Sequence, residues 1–200
     1  VAVKMQQLYE KELISEKSKV LFVDDGSKDM TWPMIEALHA ENPMYTGVKL
    51  SRNKGHQNAL MAGLTTAVKY ADMIVSKDDI NAIDGFVQKY YEGCDVVYGV
   101  RSARKTDTFF KKFTAQGFYK LMMAMGVDIV YNHADYRLMS KRAVEEMLKF
   151  KVVNLFLRGI VPLVGFKSDS VYYERAERFA GESKYPLKKM LKLASDGIIS

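Results

Sequence analysis

Four carboxylates stand where a ligand would meet them. Asp24 and Asp25 close the apolar run Val20-Leu21-Phe22-Val23 and lead into Gly26-Ser27, and Asp78 and Asp79 follow Asp72-Met73-Ile74-Val75-Ser76. Carboxylates accept hydrogen bonds from ribose hydroxyls and base N–H groups, and they hold divalent cations. They repel a bare phosphate unless a cation lies between. No GxGxxG and no P-loop sequence follows a strand, so the usual ways of cradling phosphate on backbone amides are missing. The pattern points to a nucleotide held by carboxylates and a divalent metal. A plainer reading stands beside it: Asp-Gly-Ser is good turn chemistry, and Asp78-Asp79 could cap a helix starting at Ile80. His39, His56 and His133 lack metal-ligand spacing. A single cysteine, Cys94, excludes an internal disulfide or a Cys-rich zinc site and fits a reducing compartment. The 12 Met and most aromatic residues read as core or interface filling.

The elements that must position these residues alternate. Val20–Val23, Val48–Ser51, Asp72–Ser76 and Asp95–Val100 read as short strands, the first a continuous apolar run suited to a parallel strand covered on both faces. Helices are expected near 31–41, 56–69 and 80–92, and the opening stretch Val1 to Lys17 is helix-like. Strand–helix alternation of this kind argues for βαβ units. Beyond residue 101 the rhythm changes. A long helix near 108–125 gives way to an irregular stretch, then short helices near 141–149 and 154–161, a strand at 168–174, and a final helix. That last helix puts Leu187, Met190, Leu191, Ala194 and Ile198 on one stripe, with Lys188, Lys189, Lys192 and Asp196 opposite. In doubly wound sheets ligands bind outside the carboxyl ends of the strands, where the four aspartates fall.

Two hundred residues suffice for one α/β domain and are too few for two comfortable ones. With 48% hydrophobic and 27% charged residues, 13 Gly and 4 Pro, the chain is not disordered, collagen-like or of low complexity. No apolar run reaches the roughly 18 residues a membrane helix needs; Leu155 to Phe166 is interrupted by Arg158 and Pro162. The net charge is +6, and its location matters. Between Arg101 and Lys120, six cations (Arg101, Arg104, Lys105, Lys111, Lys112, Lys120) face Asp107 alone.

Val23-Asp24-Asp25-Gly26-Ser27-Lys28-Asp29 resembles the VDDGSxD motif of family 2 glycosyltransferases, enzymes with a GT-A fold. The resemblance continues through Leu50-Ser51-Arg52-Asn53-Lys54-Gly55-His56-Gln57, similar to the family's LSRNxGxQ segment. It continues in Val97-Tyr98-Gly99-Val100-Arg101, His133-Ala134-Asp135-Tyr136-Arg137-Leu138 and Arg158-Gly159, and it ends in the stretch Tyr173 to Tyr185. In order over residues 20–200, these segments look most like the polyprenyl-phosphate branch: bactoprenol glucosyltransferases and dolichol-phosphate mannose synthases. The implied fold is a single α/β, GT-A-type domain with a Rossmann-like, mostly parallel sheet flanked by helices. Residues 1–185 would form the catalytic domain, and 186–200 an amphipathic juxtamembrane helix leading to membrane segments outside this chain. Two family features have no counterpart. No Pro-x-Tyr-Asn-Glu-like strand end opens the chain, and Ile74-Val75-Ser76-Lys77 runs straight into Asp78-Asp79-Ile80, too short for the family's Asp-x-Asp-x-Gln motif. The expectation is that residues belonging at both places are missing from the sequence.

The resemblance implies roles. Asp24 and Asp25 would bind the nucleotide, and Arg52 would lie near the diphosphate or close the helix that follows. Ser27 and Asp29 are expected as local caps, and His56 and Gln57 as structural residues opening a helix. Mg2+ or Mn2+ would be held by Asp78 and Asp79, the carboxylates left at that strand end. Asp135 falls where inverting members place a catalytic carboxylate; the alternative is a salt bridge with Arg137. A sugar-hydroxyl acceptor needs a base there, whereas a lipid phosphate, with a second pKa near ~6, is already an anionic nucleophile at neutral pH. Arg101 and Arg137 are candidates for the acceptor phosphate, and Arg175, Arg178, Ser183 and Lys184 form a loop that would close over a phosphate. Phe109, Phe110, Phe113, Phe118 and Tyr119 interleave with the basic residues of 101–120, as in a helix resting on an anionic membrane; a solvated helix face is the plainer reading. The expected activity is inverting transfer of a hexose from a nucleotide sugar, UDP-glucose, to polyprenyl phosphate at the cytoplasmic face of the membrane. Transfer of mannose from GDP-mannose, or of a sugar to a saccharide hydroxyl, keeps the same fold. No nucleic-acid-binding motif is present, so a basic nucleic-acid module has little in its favour; a homo-oligomer is left open.

Overall fold

A computed structural model describes residues 1–76, 79–101, 133–150 and 157–173, without the side chains of Arg101, 133–135 and Arg158. The elements run α1 (Ala2–Glu10), β1 (Val20–Asp24), α2 (Thr31–Glu41), β2 (Tyr45–Lys49), α3 (His56–Ala67), β3 (Met73–Ser76), a 3-10 turn (Ile80–Ala82), α4 (Ile83–Tyr91), β4 (Val96–Arg101), β5 (His133–Ser140), α5 (Lys141–Lys149), α6 (Leu157–Leu163) and β6 (Ser168–Tyr173). The helices expected near 108–125 and at 186–200 lie outside the described residues.

β1 and β2 pair in parallel, from Val20 opposite Tyr45 to Asp24 opposite Lys49. A second, mixed sheet has the order β3-β5-β4-β6: β4 and β6 are parallel, while β5 runs antiparallel to both β3 and β4. β2 begins earlier than the apolar run at 48–51 implies. Aromatic Tyr45 and β-branched Thr46 favour an extended chain, and Phe22 of β1 stacks on the Tyr45 ring. Gly47 is tolerated in the strand because α2 lies close over it; a Cβ there would sit 2.7 Å from Ile35 Cγ2.

β5 was expected as irregular chain, and the structure corrects this. His-Ala-Asp-Tyr-Arg-Leu-Met-Ser is too polar to read as a central strand, yet Tyr136, Arg137, Leu138, Met139 and Ser140 are all buried. Alternation sorts the side chains between two cores. Val96, Tyr98 and Met139 join Leu64, Val144, Met147 and Val161 on the face covered by α3, α5 and α6. Val97, Tyr136 and Leu138 join Phe86 and Val87 of α4 on the other. At about 1.5–3 kcal/mol for each large side chain fully buried, these two layers dominate the stabilisation.

The connection from β5 into α5 is fixed by polar groups. Ser140 Oγ accepts the Ala143 N–H at 3.2 Å, capping α5, and donates to Asp95 Oδ1 at 2.7 Å. Arg142 completes the cluster, reaching Asp95 Oδ1 and Oδ2 at 2.5 and 2.6 Å. The Arg142 guanidinium therefore holds the buried Asp95 carboxyl below its ordinary range. Lys4 of α1 reaches α4, its Nζ lying 2.8 Å from Asp84 Oδ1, and Leu8 of α1 is fully buried.

Candidate active site

At the carboxyl end of β1 the chain turns sharply across the end of β2. Asp24 is 3% exposed. Its Oδ1 accepts the Ser27 N–H at 3.0 Å, and its Oδ2 is buried without a hydrogen-bond partner among the described residues. Asp25 points the other way: Oδ1 accepts the Lys54 N–H at 2.7 Å and Oδ2 the Gly55 N–H at 2.9 Å. Gly26 follows at φ +71°, and a Cβ there would come within 2.4 Å of the Arg52 carbonyl carbon. Only glycine satisfies both the left-handed backbone and that approach. The DDG sequence thus builds a joint: one aspartate buried at the strand end, one clamping the loop before α3, and a glycine that lets the two loop segments touch.

Arg52 is exposed in this loop, beside Gly26. Asp29 Oδ1 accepts the Thr31 N–H at 3.0 Å at the start of α2, the local capping role expected of it. Those hydrogen bonds to Thr31 lower the Asp29 pKa.

The second group of residues gathers where β3 meets β5. Ser76 Oγ donates to the Arg137 carbonyl at 3.2 Å and receives the Arg137 N–H at 3.1 Å. Arg137, expected near a phosphate, is 4% exposed and gives Nη1 to the Leu157 carbonyl at 3.3 Å. Gln57, at the start of α3, accepts the Leu157 N–H at 3.3 Å. Both peptide groups of Leu157 are therefore held, one from α3 and one from β5, and this ties the two strand-end groups together. Nothing in the residue types foretold the tie, because it spans residues 57, 137 and 157.

Asp79 Oδ1 accepts the Asn81 N–H at 2.9 Å, capping the 3-10 turn. Its carbonyl accepts the Tyr136 hydroxyl. The cap uses one of the two carboxylate oxygens. A carboxylate oxygen of this kind suits hard cations such as Mg2+ or Mn2+, and Asp79 is the one candidate ligand among the described residues, its partner Asp78 lying outside them. No group of three or more His, Cys, Asp or Glu side chains gathers as a metal site among the described residues. Asp135 lies within β5, and Arg101 ends β4 opposite Tyr173 of β6. Asp78, Arg175, Arg178, Ser183 and Lys184 lie outside the described residues, as does the rest of the basic segment that starts at Arg101. No helix among the described residues is long and apolar enough to cross a membrane.

The model of the family described as "Glycosyl transferase family 2" matches residues 6–148. The chain belongs to that family, and the expected single α/β domain of GT-A type stands, with a parallel β1–β2 pair beside a mixed four-stranded sheet among the described residues. "Uncharacterized glycosyltransferase YkoT" of Bacillus subtilis is 56% identical over 98% of this chain and 60% of its own length. "Prophage bactoprenol glucosyl transferase homolog" of Escherichia coli is 39% identical over 94% of this chain and 63% of its own. The chain thus spans somewhat under two thirds of these relatives. Among solved structures, glucosyl-3-phosphoglycerate synthase from Mycobacterium tuberculosis, in complex with Mn2+, UDP-glucose and phosphoglyceric acid, aligns with a TM-score of 0.48. That alignment has 15% identity and covers 90% of this chain and 65% of that one.

Proposed function

We propose that this domain transfers glucose from UDP-glucose to polyprenyl (undecaprenyl) phosphate with inversion at the anomeric carbon. The observation that carries the reading is Asp24. An acceptor oxygen left unpartnered among the described residues, at a strand's carboxyl end, supports a role toward a donor group that reaches it when the nucleotide binds. A base N–H or ribose hydroxyl would supply it. The 39% identical relative named for bactoprenol glucosyl transfer supports the choice of sugar and acceptor.

In this reading an oxygen of the acceptor phosphate attacks the anomeric carbon from the face opposite UDP. The bond from that carbon to the diphosphate oxygen breaks, and UDP leaves with the electron pair. The products are polyprenyl phosphoglucose and UDP. The nucleophile is already largely dianionic at neutral pH, so Asp135 orients the acceptor rather than abstracting a proton. Asp78 and Asp79 would hold Mg2+ or Mn2+, which when bound offsets the charge on the diphosphate leaving group. Asp25 holds the Lys54-Gly55 loop, and through it Arg52, beside the nucleotide. Arg101 and the loop bearing Arg175, Arg178, Ser183 and Lys184 contact phosphate. The basic, aromatic-rich segment from Arg101 to Lys120 and the helix expected at 186–200 would lie against the cytoplasmic face of the membrane.

The test incubates the full-length protein with radiolabelled UDP-glucose or GDP-mannose, with and without polyprenyl phosphate, in Mg2+, Mn2+ or chelator. Label should pass from UDP-glucose into the organic phase only when the lipid phosphate and a divalent cation are both present. Label arriving from GDP-mannose instead would move the assignment to mannose. Transfer to a saccharide with no lipid product, abolished by Asp135→Asn, would overturn the lipid acceptor.

A further inference from the structure

The turn after β3 is held from outside its own segment. Tyr136, next to Asp135 in β5, is 1% exposed and donates its hydroxyl to the Asp79 carbonyl. Its ring meets Phe86 of α4 edge-on, with centroids 4.5 Å apart and planes at 88°. It meets Tyr173, at the end of β6, in the same way at 5.2 Å and 89°. Gly99 makes room for it, since a Cβ there would lie 2.9 Å from Tyr136 Cδ1. At this point the β4–β5 register shifts, between Tyr98 and Val100. One side chain therefore touches the turn carrying Asp79, the helix behind that turn, and the residue from which the segment 174–185 continues.

For packing alone, phenylalanine would serve. The hydroxyl is the part the apolar cluster does not need, and burying it is unfavourable unless it is hydrogen-bonded. Its partner is a main-chain carbonyl of the turn, so the bond constrains backbone position. We infer that Tyr136 is a positioning residue for the donor site, fixing the Asp79 turn against the strand that carries Asp135. The turn expected to meet the donor diphosphate and the carboxylate expected to meet the acceptor are then held in one register. The inference rests on the function proposed above for its kinetic consequence, and on geometry alone for the constraint on the turn.

Tyr136→Phe in the full-length protein keeps the ring and removes the bond. Amide exchange at Ile80 to Ala82 should rise, and KM for UDP-glucose should increase about three- to ten-fold, the span of one neutral hydrogen bond. The kcat should stay close to wild type, and the unfolding midpoint should fall by only about 2–4 °C, the loss of one neutral hydrogen bond. Gly99→Ala, which crowds the ring, should raise the same KM, and adding it to Tyr136→Phe should change KM little further. Unchanged exchange and unchanged KM would overturn the inference. So would a lowered midpoint with KM unmoved, which marks a role in packing only. If the wild type transfers no sugar from any donor, the functional reading fails. Exchange at the turn then decides the positioning claim by itself: a rise in the variant supports it and no change overturns it.

Discussion

Asp24→Asn separates what the strand-end carboxylate does for the fold from what it does for a ligand. In the free protein Asp24 is 3% exposed, Oδ1 accepts from Ser27 at 3.0 Å, and Oδ2 has no partner among the described residues. A buried polar group left unsatisfied costs about 1–3 kcal/mol, and more when charged. Asparagine keeps an oxygen for Ser27 and puts an amide NH2 where the unpartnered oxygen was, exchanging an unmet acceptor for unmet donors. The expected change in stability therefore lies within about 1 kcal/mol of zero. At about 2–4 °C per kcal/mol for a domain of this size, the midpoint moves by at most about 4 °C. Donor recognition falls much further. A hydrogen bond to a charged group contributes about 1.5–3 kcal/mol, so kcat/KM for UDP-glucose should fall about 10- to 150-fold. Differential scanning fluorimetry and initial rates on one preparation read both effects. A midpoint lowered by more than about 5 °C with kcat/KM unchanged would refute the reasoning, because the carboxylate would then be structural.

Asp25→Ala should be seen in the thermal scan instead. It removes both acceptors for the Lys54 and Gly55 amides, and because the site is half-exposed the loss should be about 2 kcal/mol, a fall of about 4–8 °C. Gly26→Ala places a Cβ 2.4 Å from backbone carbon at φ +71°, so a loss of about 3 kcal/mol or more is expected, seen as reduced soluble yield and a collapsed midpoint. Arg142→Ala leaves the Asp95 side chain, only 6% exposed, with Ser140 as its remaining side-chain partner. Asp95 has a folded pKa held down chiefly by Arg142, so its stabilisation is full above the unfolded value near ~3.9 and is lost as pH falls through the folded value. Unfolding midpoints measured from pH 6 down to 2 should therefore fall more steeply in wild type than in Arg142→Ala.

Helices were the most legible part of the chain. Those expected at 31–41 and 141–149 are Thr31–Glu41 and Lys141–Lys149, because periodic apolar residues fall between clear end signals. Ser140 caps the second helix. The strand at 133–140 was not legible: its charge and polarity argue for exposure, and it is buried through long-range bonds such as those from Arg137 to Leu157 and from Ser140 to Asp95. The two aspartates after β1 were found from residue type and place. That they divide their work, Asp25 clamping a loop and Asp24 keeping an oxygen unpartnered, depends on where residues 52–55 return in space, which no local pattern encodes. The same holds for Tyr136, whose hydroxyl meets a carbonyl 57 residues away.

The most direct test of glucose transfer to a lipid phosphate is the structure of the lipid product. With UDP-glucose, polyprenyl phosphate and a divalent cation, the full-length protein should release UDP and give a lipid phosphate carrying one hexose. NMR of its anomeric proton should report the β configuration, inverted from the α-linked donor. An α-linked product would contradict the inverting mechanism, and no hexosyl lipid from UDP-glucose would contradict the central claim.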